Sequence, residues 1–350
     1  MLRGCFAARL VTWQREFGRH YLPWQQSRDV YHVWLSEIML QQTQVVTVID
    51  YYERFLARFP SVEQLAEADL DEVLGLWSGL GYYTRARNLH GCAKRVVDEY
   101  GGEFPRTMDE LMGLPGIGRS TAAAIAAFCF GQRVSILDGN VKRVLTRVLA
   151  YGKDVSATVA DKELWAVAQS LVPADAVDMP AYTQGLMDLG ATVCLPRQVN
   201  CAACPVQAVC KAHAQGAELS FPYKVKKLKR STRLGFLLWL RSPLGVWLVK
   251  RPAKGVWGGL YSMPVFEGMD ELEGALGGVE FLDKRIEPVF KHVLTHLDWM
   301  LQPVCVELNE VQARDLPQAL QELQGQWYGL EESFVLGLPA PIRGLLSASV

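Results

Sequence analysis

Apolar residues recur at spacings of three and four along residues 1 to about 220, a pattern typical of helices with one buried face. In the segment WLSEIMLQQTQVVTVIDYYERFLARF, this spacing places the following residues on one face: Ile38, Val45, Ile49, Tyr52 and Phe55. The segments SVEQLAEADLDEVLGLW and TVADKELWAVAQSLV repeat the pattern. We therefore predict an all-helical domain over residues 1–220.

The hydrophobic pattern changes after a linker that we place at residues 221–233. LGFLLWLRSPLGVWLVKRP contains two short apolar runs separated by Ser-Pro-Leu-Gly, which is a hairpin signal. Further strand-like runs follow in RIEPVFKHVLTHLDWMLQPVCVEL, ahead of a short C-terminal helix. The pattern predicts a smaller α/β domain over residues 234–350.

Length and apolar content agree with two packed, water-exposed domains. The chain has 350 residues, 50% of them hydrophobic, and one domain ordinarily takes roughly 100 to 200 residues. The longest uninterrupted apolar run, Ala122 to Phe130, is far shorter than the roughly 20 residues of a membrane-spanning helix. Polar residues from Thr12 onward interrupt any secretory apolar region. We expect an unprocessed cytoplasmic chain without a membrane segment.

The charge of the chain is informative only in its distribution. The formal net charge of -1 gives no general indication of nucleic-acid binding. The linker FPYKVKKLKRSTR, however, contains basic residues and no acidic one. A solvated linker is the ordinary explanation of such a run, and contact with phosphate groups is the alternative.

Four cysteines lie close together in CLPRQVNCAACPVQAVC with the spacing C-x6-C-x2-C-x5-C: Cys194, Cys201, Cys204 and Cys210. Disulfides are disfavoured in a chain without secretory features, so these thiols indicate a metal centre. A zinc site more often has two C-x2-C pairs, and this segment has one. The spacing favours an iron-sulfur cluster, with zinc second and no metal third. The other cysteines are isolated, and each is expected to be a buried thiol: Cys5, Cys92, Cys129 and Cys305.

The stretch LPGIGRST has the composition of a tight corner before a helix. Gly116 and Gly118 permit unusual backbone angles and leave amide groups uncovered, and Ser120 lies at the start of the helix that follows. A helix N-terminus of this kind binds anions. A phosphate-binding helix-hairpin-helix and an ordinary packing corner explain the pattern equally well.

Two carboxylates, Glu37 and Asp138, are each placed at the predicted start of a helix. Ser36 as the helix cap, with Glu37 near the positive end of the helix dipole, would be a sufficient structural explanation of the first. Asp138 in SILDGNVKRVL could likewise be a helix cap. Taken singly, each is better explained by structure than by catalysis.

Several motifs occur together and in order, and they resemble the MutY family of adenine DNA glycosylases within the endonuclease III group. The motifs are LPWQQSRDVYHVWLSEIMLQQTQV, GLGYYTRARNLH, LPGIGRSTA, ILDGNVKRVL, MDLGATVC and the cysteine cluster. The resemblance covers nearly the whole chain. It implies a helix-hairpin-helix at about residues 108–128 and one 4Fe-4S cluster in the loop 194–210, with no organic cofactor.

The resemblance also implies roles for the two carboxylates. Glu37 matches the general acid that protonates adenine and later activates water. Asp138 matches the group that stabilises the cationic sugar or bonds to it transiently, and Asn140 matches a residue that helps to hold the catalytic centre. Two carboxyl groups with divided roles suit cleavage through an oxocarbenium-like state. Such a pair requires burial to raise the pKa of Glu37.

Further positions match residues that contact DNA or the extruded base. Trp24, Leu40 and Gln184 match the surroundings of the adenine, although each is also explicable by packing. Gln42 and Tyr82 match residues that enter the base stack, with Tyr82 on the side of the opposite base. A phosphate contact and a solvated lysine explain Lys142 equally well.

The C-terminal segment resembles a Nudix-type recognition domain. LVKRPAKGVWGGLYSMPVFE begins like such a domain, but GMDELEGALGGVEFL lacks the R-E-x-x-E-E array that binds divalent metal. The resemblance implies that this domain recognises 8-oxoguanine opposite the adenine. The family's Phe-Ser-His loop is represented by Leu294, Thr295 and His296, so the aromatic residue is missing.

The resemblance therefore implies a monomeric, nucleoid-associated bacterial enzyme that removes adenine mispaired with 8-oxoguanine or guanine in double-stranded DNA. A bifunctional glycosylase-lyase is the nearest rival, but it needs a lysine where this chain has Ser120. A redox protein would not need both Glu37 and Asp138. A nucleotide pyrophosphatase would need the missing glutamates.

Overall fold

The computed structural model describes residues 2–225 and 230–348. Its described residues form two compact units, one made of residues 2–66 and 91–225 and the other of residues 67–90 and 230–348. Part of the predicted basic linker, Lys226 to Lys229, lies outside the described residues. No helix in the described ranges has both the length and the apolar character needed to cross a membrane.

Helices account for the regular structure of residues 2–225, as the apolar spacing predicts. The α-helices are α1 Leu2–Phe17, α2 Val30–Leu40, α3 Val45–Arg58, α4 Val62–Glu67, α5 Leu70–Leu76, α6 Thr84–Tyr100, α7 Met108–Met112, α8 Arg119–Phe130, α9 Gly139–Leu149, α10 Thr158–Ser170, α11 Met179–Asp188 and α12 Lys211–Ala214. A π-helical turn, Leu189–Val193, follows α11, and short 3₁₀ turns lie within the cysteine loop.

The segment around Glu37 differs from the pattern that we expected. Ile38 lies in α2, whereas Val45 and the later apolar residues lie in α3, so the predicted common face is divided between two helices. Asp29 is the cap of α2, because its side chain accepts from the amides of Tyr31 and His32. Ser36 lies inside the helix and donates to the carbonyl of Val33. The explanation of Ser36 as a helix cap is therefore wrong.

Helix α8 lies in the centre of the helical unit. Its residues from Thr121 to Ala127 are all buried, and the five alanines among them allow α2, α7 and α11 to pack closely around it. The isolated thiols follow the prediction only in part. Cys92 is buried within this unit and Cys305 in the other, whereas Cys5 and Cys129 are only partly buried.

The second unit contains a mixed sheet, which confirms the predicted α/β fold. Its strands are β1 Ser231–Ser242, β2 Gly245–Lys250, β3 Tyr261–Ser262, β4 Val265–Phe266, β5 Asp283–Ile286, β6 Phe290–Val293, β7 Leu297–Glu307 and β8 Gln326–Tyr328. The strand order is β3-β2-β1-β7-β5, while β4, β6 and β8 pair with β1, β7 and β2. Helices α13 Met269–Leu276, α14 Glu310–Arg314, α15 Gln318–Gln321, α16 Leu330–Ser333 and α17 Ala340–Ser347 complete the unit.

The two long strands of this sheet form its centre. The predicted hairpin of β1 and β2 is present, with Ser242 opposite Gly245, whose φ of 113° requires glycine. Strand β1 runs parallel to β7 over its whole length. Leu238 and Leu240 of β1, with Val304 of β7, contribute to a core that also includes residues of α13, α14 and α15.

Residues 67–90 are bonded to the C-terminal sheet unit by side chains. Asp71 accepts from Lys250 Nζ at 2.6 Å and from Tyr261 Oη at 3.0 Å. The hydroxyl groups of Ser78 and Tyr83 both donate to the carbonyl of Leu338, at 2.8 and 2.7 Å. The segment GLGYYTRA, which includes Tyr82, is thus a structural part of the unit that contains Thr295 and His296.

Candidate functional site

A cavity of about 450 Å³ lies between α1, α2 and α11 of the helical unit. Glu37 lines it together with Trp24, Leu40 and Gln184, the three residues that the sequence predicts around the extruded base. These residues are up to 160 positions apart in sequence (184 − 24). The fold therefore brings the predicted acid and the predicted base pocket into one space.

The carboxyl group of Glu37 is held in its neutral form near pH 7. Burial, together with a smaller contribution from the negative charge of Asp138, raises its pKa from 4.5 to about 8. Glu37 lies on the third turn of α2, so its position depends on packing in the helix and not on a terminal cap. A protonated carboxyl group that faces a cavity can act as a general acid.

The amide of Gln184 is oriented by a buried ion pair that the sequence did not reveal. Asp188, which is 1% exposed, accepts from Gln184 Nε2 at 2.8 Å and from Arg19 Nε at 2.7 Å. Because the amide nitrogen of Gln184 is used by Asp188, its carbonyl oxygen is left to accept a bond from a ligand in the cavity. The only indication of this bond in the sequence is the spacing of Gln184 and Asp188, which are one helical turn apart.

Asp138 is the N-terminal cap of α9, as its sequence context allows. Its Oδ1 atom accepts from the amide of Val141 at 2.8 Å, and the residue is partly exposed. This bond fixes the side chain of Asp138 at the N-terminal end of α9. Capping and catalysis are thus compatible roles for Asp138.

Asn140 is held by a network that extends to the cysteine loop. Its Oδ1 atom accepts from Arg143 Nη2 at 2.9 Å, and the same nitrogen donates to the carbonyl of Gly190. Arg143 Nε donates to the carbonyl of Cys194 at 2.9 Å. A Cβ atom on Gly190 would lie 2.8 Å from Asn140 Cβ, so only glycine allows this close approach. Nothing in the sequence marks Arg143 as part of this network, because an arginine on a helix is ordinarily exposed.

The glycine corner consists of α7, a turn and α8. Gly116 has a φ of 76°, which explains the glycine at that position. Gly118 caps α8 with a φ of -82°, and a Cβ atom there would meet nothing within 4 Å. Neither backbone strain nor internal packing therefore requires glycine at 118.

Ser120 and Lys142 both have partners within the helical unit. The Oγ atom of Ser120 accepts from the amide of Leu137 at 3.1 Å, next to Asp138. Lys142 Nζ donates to Asp161 Oδ1 at 2.6 Å, and its side chain is 23% exposed. Lys142 is therefore ion-paired and not simply solvated. Ser120 supports the backbone that leads to Asp138.

Gln42 and Tyr82, the two residues predicted to enter the base stack, share an unusual backbone conformation. Their φ values are 58° and 49°, in a left-handed region that side-chain-bearing residues rarely adopt. Both side chains are exposed. Strained, exposed residues of this kind are typical of functional positions.

The four clustered cysteines, Cys194, Cys201, Cys204 and Cys210, line one small cavity. Arg147, which is 2% exposed, donates from Nη1 to Cys194 Sγ at 3.1 Å. The same guanidinium donates to the carbonyls of Leu195 at 2.8 Å and Phe221 at 3.1 Å, which lie on either side of the loop. A buried positive charge beside four sulfur ligands suits an anionic thiolate centre.

The donor set of the loop fits a four-thiolate cluster. Burial raises the pKa of Cys204 to about 12, so a bound cation would favour the thiolate form of this sulfur. His213 and Glu218 also lie beside Cys201, within 4.8 Å of one another, as a possible three-ligand set. His213 Nδ1 is 2.7 Å from Glu218 Oε1, however, so these two groups satisfy each other.

The predicted lesion-recognition residues lie at the turn between β6 and β7. The turn is closed by a bond from the amide of Leu294 to the carbonyl of Leu297 at 2.8 Å, and Thr295 and His296 are exposed at its tip. Thr295 Oγ1 lies 3.4 Å from Tyr82 Oη. A hydroxyl pair from two distant parts of the chain is thus formed within this unit.

Comparisons with known proteins agree with both units. Residues 35–170 match the family described as HhH-GPD superfamily base excision DNA repair protein, and residues 236–348 match the NUDIX domain. An adenine DNA glycosylase of Buchnera aphidicola subsp. Baizongia pistaciae is 36% identical over 98% of this chain and 96% of its own. The mouse adenine DNA glycosylase is 48% identical over 59% of this chain and 42% of its own.

A solved structure extends the likeness to the fold of the helical unit. A thermostable thymine-DNA glycosylase superimposes with a TM-score of 0.55 and 29% identity, and the match covers 60% of this chain and 95% of that one. Its description names a different target base. The shared fold by itself therefore does not identify the target base.

Proposed function

The chain belongs to the adenine DNA glycosylase family, and on that premise we propose that it excises adenine paired with 8-oxoguanine or guanine in double-stranded DNA. The reaction is hydrolysis of the N-glycosidic bond, without cleavage of the strand. The observation that carries the proposal is the common cavity of Glu37, Trp24, Leu40 and Gln184. An extrahelical adenine would enter this cavity after it has been flipped out of the stack.

Glu37 supplies the proton that makes adenine a leaving group. Its carboxyl group, with a pKa raised to about 8, donates to a ring nitrogen of adenine as the bond between the base and the sugar breaks. The electron pair of that bond leaves with the base, so positive charge develops on the sugar. The resulting Glu37 carboxylate then accepts a proton from the attacking water.

Asp138 faces the developing sugar cation. Its carboxylate is held by the amide of Val141 at the start of α9 and either stabilises the cation through space or bonds to it transiently. Asn140, bonded to Arg143, holds the first turn of this helix in place. The two carboxyl groups would thus divide the roles of acid and cation stabiliser.

Gln184 provides a contact that favours adenine. Its carbonyl oxygen, freed by the bond from Nε2 to Asp188, can accept from the exocyclic amino group of adenine. Trp24 offers an aromatic ring, 7% exposed, at the wall of the same cavity. A base with a carbonyl in place of the amino group would leave the oxygen of Gln184 unpaired.

Strand cleavage is not part of the proposed reaction because Ser120 offers no amine. A lyase forms a Schiff base through a lysine, and the Ser120 hydroxyl is engaged by the amide of Leu137. Lys142, the nearest lysine on α9, is paired with Asp161. Both features support a monofunctional glycosylase.

Recognition of the opposite base is assigned to the C-terminal unit and residues 67–90. Thr295, His296 and Tyr82 would contact 8-oxoguanine, and Gln42 would enter the stack from the helical unit. Gly116 and Gly118 would approach a backbone phosphate. Catalytic groups, cysteines and recognition residues all come from one chain, which supports a monomer that acts on nucleoid DNA.

The four cysteines would hold a 4Fe-4S cluster. When bound, the cluster supplies a compact charged centre that orders the loop next to α9. Arg147 and Arg143 connect that loop with the helix that begins at Asp138. No proton transfer or bond cleavage in the proposed reaction passes through the cluster.

The proposal is tested with three duplexes: adenine opposite 8-oxoguanine, adenine opposite guanine, and thymine glycol opposite adenine. Each is incubated with the enzyme and then analysed with and without alkali. We expect adenine release from the first two, with strand breaks only after alkali. Release of thymine glycol at a comparable rate, or strand breaks without alkali, would contradict the proposal.

A further inference from the structure

A second cavity, of about 290 Å³, lies in the C-terminal unit. It is lined by residues at the starts of β1 and β7, by the loop that follows β2 and by β4, and it includes Arg233, Gly235, Arg251, Phe266, Glu267 and Trp299. None of these residues takes part in the proposed adenine excision. Its volume is at the lower end of the roughly 300 to 1,000 Å³ that small-molecule sites occupy.

Arg251 brings a partly buried positive charge to this cavity. Its Nε atom donates to the carbonyl of Val256 at 3.2 Å, and its backbone is bonded to Leu260 and Gly259, so the loop holds the guanidinium in place. Its terminal nitrogens have no carboxylate partner among the described residues. Such an unpaired, partly desolvated guanidinium is costly unless an anion neutralises it.

Arg233 adds a second positive charge next to the first. Both arginines line the same cavity. Burial lowers the pKa of Arg251, and the positive charge of Arg233 acts in the same direction. Two like charges at one cavity destabilise the folded protein. A shared anion would turn that repulsion into attraction.

Trp299 contributes a donor without a partner. The residue is 4% exposed, and its Nε1 atom has no hydrogen-bond acceptor. A Cβ atom on Gly235 would lie 2.8 Å from this nitrogen, so glycine leaves space beside the indole N–H. The ring of Trp257 packs against Trp299 at an interplanar angle of 40°, with ring centroids 4.9 Å apart, and holds the indole in position. A buried donor of this kind requires an acceptor to avoid a desolvation penalty.

Glu267 is the group that an incoming anion would have to displace. Its carboxylate is paired with Arg233, but its side chain is 72% exposed, and surface pairs of this type contribute little to stability. A ligand with two negative charges would interact with both Arg233 and Arg251, which a single exposed carboxylate does not do.

We propose that this cavity binds a phosphate group, with Arg251 and Arg233 as charged donors and the Trp299 indole as a third donor. A tetrahedral dianion matches two guanidinium groups better than a carboxylate does. The phosphate has two possible sources, a free purine nucleotide or the backbone of bound DNA. The segment after Glu267 lacks the metal-binding glutamates, so binding without hydrolysis is expected.

The test uses the full-length protein with EDTA present and deoxyguanosine monophosphate as the probe in isothermal titration calorimetry. Replacing one charged ligand of a phosphate removes roughly 1.5 to 3 kcal/mol, so Arg251→Gln should weaken nucleotide binding by about tenfold or more. Glu267→Gln should tighten it, because the competing carboxylate is removed. Arg285→Gln, an exposed arginine that is paired with Asp283 on another part of this unit, is the matched control.

A parallel measurement with duplex DNA identifies the source of the phosphate. If the nucleotide does not bind, but Arg251→Gln weakens duplex affinity and lowers the slope of log affinity against log salt by about one, a backbone phosphate is the ligand. Trp299→Phe keeps an aromatic ring and removes the N–H donor. This substitution should weaken binding of the same ligand several-fold. The proposal is overturned if the affinities for the nucleotide and for duplex DNA are both unchanged in Arg251→Gln, Glu267→Gln and Trp299→Phe. This conclusion requires that the three variants melt like the parent protein.

Discussion

The cavity that contains Glu37 and the turn between β6 and β7 differ in their exposure to water. Glu37 is half-buried at the wall of a cavity, and burial raises its pKa to about 8. Thr295 and His296 are exposed at the tip of a tight turn. Proton donation at neutral pH needs a carboxyl group removed from water, whereas contact with a base inside DNA needs side chains that extend from the protein.

The difference predicts where substitutions should be severe. A substitution in the cavity removes a side chain whose chemistry depends on desolvation and on neighbours that the fold holds in place. Removal of a group from the exposed turn eliminates only a contact that water can partly replace. The following predictions test this contrast, from the largest expected effect to the smallest.

Glu37→Gln should produce the largest loss of activity. The amide keeps the shape of the side chain but cannot donate the proton or activate water, so the single-turnover rate of adenine release should fall by about 10²- to 10⁴-fold. Glu16→Gln, an exposed acid on α1, is the control and should leave the rate unchanged. Full activity in Glu37→Gln would contradict the assignment of the acid.

Arg147→Met should destabilise the cysteine loop. The carbonyls of Leu195 and Phe221 would lose their donor, and each unpaired buried acceptor costs roughly 1 to 3 kcal/mol. We expect less iron per protein and weaker visible absorbance after purification. Arg197→Met, in an exposed position of the same loop, should retain its iron. Equal iron contents in the two variants would show that Arg147 does not support the cluster.

The rate of adenine release should depend on the protonation of Glu37. With its pKa raised to about 8, the rate should be constant on the acidic side of that value. On the alkaline side it should fall about tenfold per pH unit as the acid ionises. Single-turnover rates across this range test the prediction. A decline that begins near pH 4.5, the ordinary value, would show that burial does not hold the proton.

The same ionisation should make stability depend on pH. Between pH 4.5 and about 8 the folded protein binds the Glu37 proton more tightly than the unfolded chain does. Stability therefore falls as the pH rises through this window, and the contribution is fully lost above the folded pKa. Glu37→Gln should melt at a higher temperature than the parent at pH 8, and this advantage should shrink on acidification. A difference in melting temperature that does not change with pH would contradict the link between the Glu37 proton and stability.

Substitutions that remove the hydroxyl pair of Tyr82 and Thr295 should have the smallest effect on function. The two oxygens are 3.4 Å apart and exposed, so the coupling energy in a cycle of Tyr82→Phe, Thr295→Ala and the double variant should be about 0.5 to 1.5 kcal/mol or less. Affinity for a duplex with 8-oxoguanine is the measurement. A coupling as large as the loss in Glu37→Gln would remove the contrast between the two regions.

Local sequence patterns predicted much of the architecture. Three-and-four spacing indicated the helices, and Ser-Pro-Leu-Gly indicated the turn between β1 and β2, because both depend on neighbouring residues. The pattern failed between Leu40 and Val45, where α2 ends and Gln42 adopts a left-handed conformation. The apolar spacing continues through that break, so periodicity alone did not reveal it.

The candidate site was predictable only as a set of residue types. The resemblance indicated Glu37, Asp138 and the four cysteines, but no pattern singled out Arg143, Arg147 or Asp188. These residues look like ordinary helix-surface charges in the sequence. Their burial depends on which helices pack against them, and that information is not local.

The sequence by itself determined the two kinds of domain, the cysteine spacing and the absence of the metal-binding glutamates, because each is a property of residues close together in the chain. Tertiary structure alone decided that Glu37, Trp24 and Gln184 share a cavity and that residues 67–90 belong with the C-terminal sheet. A raised pKa requires exclusion of water by distant segments, and only the folded chain brings those segments together.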